Sequence, residues 1–139
     1  MHVMKRFEHV PGLADRLQPL KDEASRQLLE AALSQWADIK RQEPADWRIR
    51  AFEISDSSPS DVRRVLESTG LVNAGRVTVV WPFDGFAATS DGVDVVRFYD
   101  DLWYPSRDDV LIVLPSHDMF VEFNHEEVLI VGCHQDRYG

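Results

Sequence analysis

Three apolar segments near the C-terminus, VLIVL (110–114), MFVEF (119–123) and VLIV (128–131), are separated only by PSHD and NHEE. A parallel crossover takes about a dozen residues or more, so strands joined by such short links must run antiparallel. This meander constrains the fold more than any other part of the chain. VLIVL is apolar at every position, which predicts a central strand covered on both faces. Upstream, RVTVVW (76–81) leads through Phe83-Asp84-Gly85 to FAAT (86–89), and Ser90-Asp91-Gly92 precedes VDVVRFY (93–99). Asp-Gly steps between apolar segments favour hairpins, because glycine accepts the positive φ of such turns. Both stretches are therefore expected to be strand pairs. WRIRAFEI (47–54) sets Trp47, Ile49 and Ala51 against Arg48, Arg50 and Phe52, the alternation of a further strand.

Two segments read as helices. From about Pro19 to Gln42, apolar residues from Leu20 to Ile39 recur at helical spacing over an arc of roughly 200°. Pro19 suits the first turn, Asp22 and Glu23 complement the positive start, and Lys40 and Arg41 the end. An arc that wide predicts contact with the sheet and one further element, with Trp36 in the core. In SSPSDVRRVLESTG (57–70), Ser58 caps, Pro59 takes the first turn, Asp61 closes the capping box and Gly70 ends the helix. Together these elements predict an α+β protein. Two N-terminal helices pack on a five- to six-stranded, mostly antiparallel sheet. The 139 residues suffice for one domain spanning 1–139.

The charge is lopsided. Residues 1–76 hold 12 Lys and Arg against 12 Asp and Glu, while residues 77–139 hold 3 against 12, so the second half carries the whole net charge of −9. Such a half repels phosphate backbones and attracts cationic partners, most strongly at low salt. Nucleic-acid binding is thereby disfavoured, and Arg48, Arg50, Arg63 and Arg64 read as a solvated face that pairs with nearby acids. A single cysteine, Cys133, rules out an internal disulfide framework. It reads as a small hydrophobe rather than a nucleophile. The opening MHVMKRFEHVPGL lacks the apolar core of a signal peptide, and no apolar run approaches the roughly 20 residues of a membrane span. A cytoplasmic protein is the expectation.

The stretch FYDDLWYPSRDDV (98–110) reads as a loop crowding Asp100, Asp101, Asp108 and Asp109 around Trp103 and Tyr104. Aromatics of this kind bring large contact area at low entropic cost. Surrounding carboxylates would steer a cationic partner toward them. Equally, Trp103 could fold back as a lid on the core, with Pro105 stiffening the turn.

Other chemistry is weaker. His117, His125 and His134, with Asp118, Glu126, Glu127, Cys133 and Asp136 nearby, are suitable metal ligands by type. Their spacing matches no compact ligand pair, and a meander puts His117 and His125 at opposite sheet ends, about 15 Å or more apart. Paired acids on loops more often cap local backbone N–H groups than catalyse. Serine nucleophile arrangements and phosphate-binding loops are absent from the sequence, and no cofactor is expected.

The residues FYDDLWYPSRDDVLIV, then MFVEF, then NHEEVLIVG resemble a group of small bacterial proteins. In these a Leu-Trp-Tyr-Pro-Ser segment precedes an Asp-Asp strand start and a later His-Glu. The resemblance covers about residues 95–132. Some members are similar to immunity proteins of bacterial toxin systems, which bind a co-produced toxin and block it. The resemblance implies a shared pattern of Asp101, Leu102, Trp103, Tyr104, Pro105, Asp108, Asp109, His125 and Glu126.

The resulting expectation is a non-enzymatic protein, monomer or homodimer, that neutralises a basic toxin domain. Its partner-binding residues would be Asp100, Asp101, Trp103, Tyr104, Asp108 and Asp109. The alternatives are a small metal-dependent hydrolase using His117, His125 and neighbouring carboxylates, or a self-associating structural module.

Overall fold

Seven strands form one wholly antiparallel sheet in the computed structural model, which describes residues 7–104 and 107–135. In chain order the elements are β1 (Gln18–Pro19), α1 (Glu23–Gln42), β2 (Trp47–Glu53), α2 (Pro59–Ser68), β3 (Arg76–Trp81) and β4 (Phe86–Asp91). Then come α3 (Gly92–Leu102), β5 (Val110–Val113), β6 (Met119–Phe123) and β7 (Val128–His134). The strand order is β1-β4-β3-β5-β6-β7-β2. The expected meander is present as β5-β6-β7, and β5 lies at the centre with all four residues buried. Side chains alternate across a strand. Val110 and Ile112 accordingly enter one core, while Leu111 and Val113 enter the other.

The larger core lies under α2, α3 and the N-terminal segment, which buries Phe7, Leu13 and Leu17. The smaller lies under α1, where the Trp36 ring stacks on Phe120 at 5.1 Å. The Trp36 indole N–H and the Lys40 ammonium both donate to Glu122 on β6, at 2.9 and 2.6 Å. That pair satisfies a carboxylate held beneath the helix.

The structure corrects several sequence expectations. VDVVRFY is not a strand. It belongs to α3, which starts at Gly92 and runs on through Asp100, Asp101 and Leu102. Val95, Phe98, Tyr99 and Leu102 fall three and four residues apart and are buried together. That period outweighs the β preference of three valines. Among the described residues there are thus three longer helices rather than two, and seven strands rather than five or six.

Pro19 sits in the short edge strand β1, and α1 begins four residues later, capped by Asp22, whose carboxylate accepts from the Ser25 N–H at 2.9 Å. The wide apolar arc of α1 is only partly covered, since Ala24 and Ala31 are exposed and Leu28 is 65% exposed. The cap of α2 is as expected, with the Asp61 N–H donating to the Ser58 hydroxyl at 3.2 Å. Pro105 and Asp136 lie outside the described residues.

Candidate functional site

Strand direction decides which loops meet. β2, β3 and β6 finish at the end of the sheet where β4, β5 and β7 begin. Three connections converge there: residues 54–58, the turn Pro82–Gly85 and the turn Asn124–Glu127. The C-terminus of α3 arrives at the same place, because the Trp81 indole N–H donates to the Leu102 carbonyl at 2.9 Å. Cross-links tie these segments together. The His125 N–H donates to Asp109 Oδ1 at 2.9 Å, and the Ile54 N–H donates to the Glu127 carbonyl at 3.0 Å. A cleft of about 230 Å³ between them is lined by Ser55, Ser57, Tyr99, Asp100, Trp103 and Glu127.

All six residues singled out by the sequence sit at this end, but not in one role. Trp103 is 5% exposed and Asp108 4% exposed. The Trp103 ring centroid lies 5.3 Å from that of Phe123, and its indole N–H donates to the Asp108 carbonyl at 3.1 Å. Asp108 Oδ2 accepts the Tyr104 backbone N–H at 2.9 Å. Trp103 and Asp108 therefore form the scaffold of the segment and are almost wholly buried, a correction to their expected place on an outward surface.

Asp100 and Asp101 belong to the last turns of α3 rather than to a loop. Asp100 pairs with Arg63 at 2.9 Å, and the same guanidinium donates to the Arg97 carbonyl at 3.0 Å. Asp101 is half-buried; burial is the main cause that raises its pKa, Asp100 adds to it and Arg63 opposes it. Tyr104 is half-buried and Asp109 reaches solvent.

Second-half acids away from this end are largely matched by cations of the first half. Asp91 pairs with Arg76 at 3.3 Å, Asp94 with Arg16 at 3.5 Å, and Glu122 with Lys40. The four arginines expected to form one face divide instead. Arg63 and Arg64 pair with Asp100 and Asp61, while Arg50 lies 5.7 Å from the Phe52 ring. Carboxylates thus dominate where the loops meet. Asp84 and Glu126 are exposed there beside Asp100, Asp101, Asp109 and Glu127, and Asp56 adds one from the first half.

Sequence reasoning missed Phe83. It tops the Pro82–Gly85 turn and is 91% exposed. Its signal was an aromatic at a hairpin tip, where small polar residues usually stand.

His125 shows the field of this end. Its Nδ1 lies 3.0 Å from Asp109 Oδ1. That hydrogen bond, then the Asp109 charge, raise the imidazole pKa, with a smaller push from Glu126. A raised folded-state value gives stability that is fully present below the unfolded pKa of about 6.5 and lost as pH rises through the folded value. Asp109→Asn should bring the His125 midpoint down toward its ordinary value in a proton NMR titration. An unshifted midpoint would show that the pair does not form.

His117 sits in the turn at the opposite end of the sheet, as the meander implied, and His134 Nε2 lies 3.0 Å from Asp46 Oδ2. Cys133 packs against the larger core. Among the described residues, no three His, Cys, Asp or Glu side chains converge to hold a metal ion. No helix among them is long and apolar enough to cross a membrane. No family model, curated protein or solved structure matches the chain.

Proposed function

We propose that this chain is a non-enzymatic binding protein that acts in the cytoplasm as an immunity protein. It docks a basic toxin domain on the acidic end of its sheet and blocks it. One observation carries the reading: Phe83, 91% exposed, shares that end with Asp84, Asp100, Asp101, Asp109 and Glu126. An apolar anchor within a carboxylate field has the composition of an interface aimed at a cationic surface. Cross-linked loops support it further, since preordered groups lose little entropy on binding. The toxin assignment rests on the resemblance carried by residues 95–132.

The test begins with capture of a basic domain by the tagged protein from its native cells, followed by kinetics of the purified pair. Asp100→Asn, Asp101→Asn and Asp109→Asn together should slow association and flatten its dependence on salt. Phe83→Ala should act on dissociation and cost about 2 kcal/mol, roughly thirtyfold in affinity. Unchanged affinity and salt slope in both variants would remove this end of the molecule from consideration.

A further inference from the structure

We propose that β2 is a docking edge for a second copy of this chain, so that two sheets join antiparallel into one, centred on Ala51. This goes beyond the toxin-binding reading and does not depend on it. Among the described residues β2 is an outermost strand and pairs with β7 alone, in an unbroken register from Trp47 opposite His134 to Glu53 opposite Val128.

The hydrogen-bonding phase follows from two bonds that flank the ladder. The Gln135 N–H donates to the Asp46 carbonyl at 2.8 Å, and the Ile54 N–H donates to the Glu127 carbonyl at 3.0 Å. Backbone bonds in an antiparallel pair recur at every second residue. Even-numbered residues from Asp46 to Ile54 therefore turn their N–H and C=O groups toward β7. The N–H and C=O groups of Ile49, Ala51 and Glu53 point away from the sheet, and nothing in the described structure accepts or donates to them.

Natural edges of this kind are usually blunted by proline, a bulge, brevity or charged side chains. β2 is seven residues long, without proline or bulge, and keeps only the charges of Arg48, Arg50 and Glu53. The opposite edge of the sheet is blunted, because β1 is two residues long and one of them is Pro19. One open edge per molecule closes an isologous pair and stops there, rather than growing a fibre.

The occupant is a second copy because the strand is complementary to itself. A two-fold axis at Ala51 sets Ile49 opposite Glu53 of the other copy and Ala51 opposite its counterpart. The outward backbone groups of Ile49, Ala51 and Glu53 then all find partners. The same register puts Arg50 directly across from Phe52 of the other copy, in a non-hydrogen-bonded pair where side chains come closest. Within one chain Arg50 already lies 5.7 Å from the Phe52 ring, so the contact chemistry is in place. Shifting the axis to Arg50 would face two guanidiniums. Ala51, small and exposed, permits the close approach at the centre.

The test is sedimentation equilibrium of the full chain over a wide concentration range, with amide hydrogen exchange at both extremes. The expected result is a monomer–dimer equilibrium. With it, the Ile49, Ala51 and Glu53 amides become protected only at high concentration, while Arg48, Arg50 and Phe52 are protected throughout. Ala51→Pro removes an N–H that makes no bond among the described residues, and edge strands tolerate proline. It should raise the dimer dissociation constant at least about tenfold. Arg50→Glu offers a second variant without a backbone change and should also weaken the dimer. A monomer at every concentration overturns the proposal, as does a dimer indifferent to Ala51→Pro. Protection of the three amides by an added extended acidic peptide, with the chain itself staying monomeric, overturns self-pairing as well.

Discussion

Gly92→Ala is expected to destabilise the fold by about 3 kcal/mol, which lowers the melting temperature by roughly 10 °C for a chain of this size. Asp91-Gly92 looks like a hairpin turn, yet this glycine has no positive φ. It is the first residue of α3, and its N–H donates to the Gly75 carbonyl at 2.8 Å. A Cβ added here would stand 2.0 Å from the Leu71 carbonyl oxygen. That oxygen is backbone, within the short 3₁₀ turn Leu71–Asn73, and cannot rotate aside as a side chain could. Relief requires moving α3 away from that turn, which opens the larger core around Leu71 and Val95. Gly85 provides the contrast. Its φ is +61° and nothing lies within 4 Å of an added Cβ, so Gly85→Asn should cost little, because Asn tolerates that conformation. Urea unfolding of the two variants tests the difference. Equal stability of Gly92→Ala and the parent would mean that α3 does not press against Leu71.

Trp103→Ala should cost about 3–5 kcal/mol, the range for removing a buried Trp. Two losses combine. The ring leaves an aromatic group in which Tyr99 and Phe123 stack at 5.5 Å, and the Asp108 carbonyl loses its donor. Trp103→Phe separates them in part, since it keeps a buried aromatic ring while removing the N–H and the smaller part of the indole. It should cost about 1–2 kcal/mol. Amide exchange provides the readout specific to this segment. The Tyr104 N–H is held by Asp108, and Trp103→Phe should speed its exchange before the core strands respond. If Trp103→Ala unfolds at the same denaturant concentration as the parent, the ring does not anchor the segment.

Those two sites also show what the sequence made legible. The meander was readable because the links around Pro115 and Asn124 are too short for any other pairing, and connection length is a local property. The cap at Ser58 was readable for the same reason. α3 was not, because Asp91-Gly92 carries the composition of a turn and Val93, Val95 and Val96 that of a strand. The contrary signal was the spacing Val95–Tyr99–Leu102, which only shows once the helix is extended past Tyr99 into a stretch that looks like loop. Asp108 and Asp109 are adjacent acids with opposite fates. Asp108 is buried and bonded to Tyr104, whereas Asp109 is solvent-facing and bonded to His125, and the pleat of the chain entering β5 separates them. Phe83 was hidden by the opposite effect, since nothing in its neighbours announces that a ring at a turn stays outside.

The pairing of β2 with β7 has a consequence for how the protein is made. The two strands lie about 80 residues apart in the chain, so their ladder is a long-range contact of the kind that slows folding. A growing polypeptide synthesised from its N-terminus exposes Trp47–Glu53 about 80 residues before Val128–His134 is complete. Throughout that interval the segment WRIRAFE has no strand to receive it. Its two arginines then guard a nascent chain against sticking to its neighbours on the ribosome.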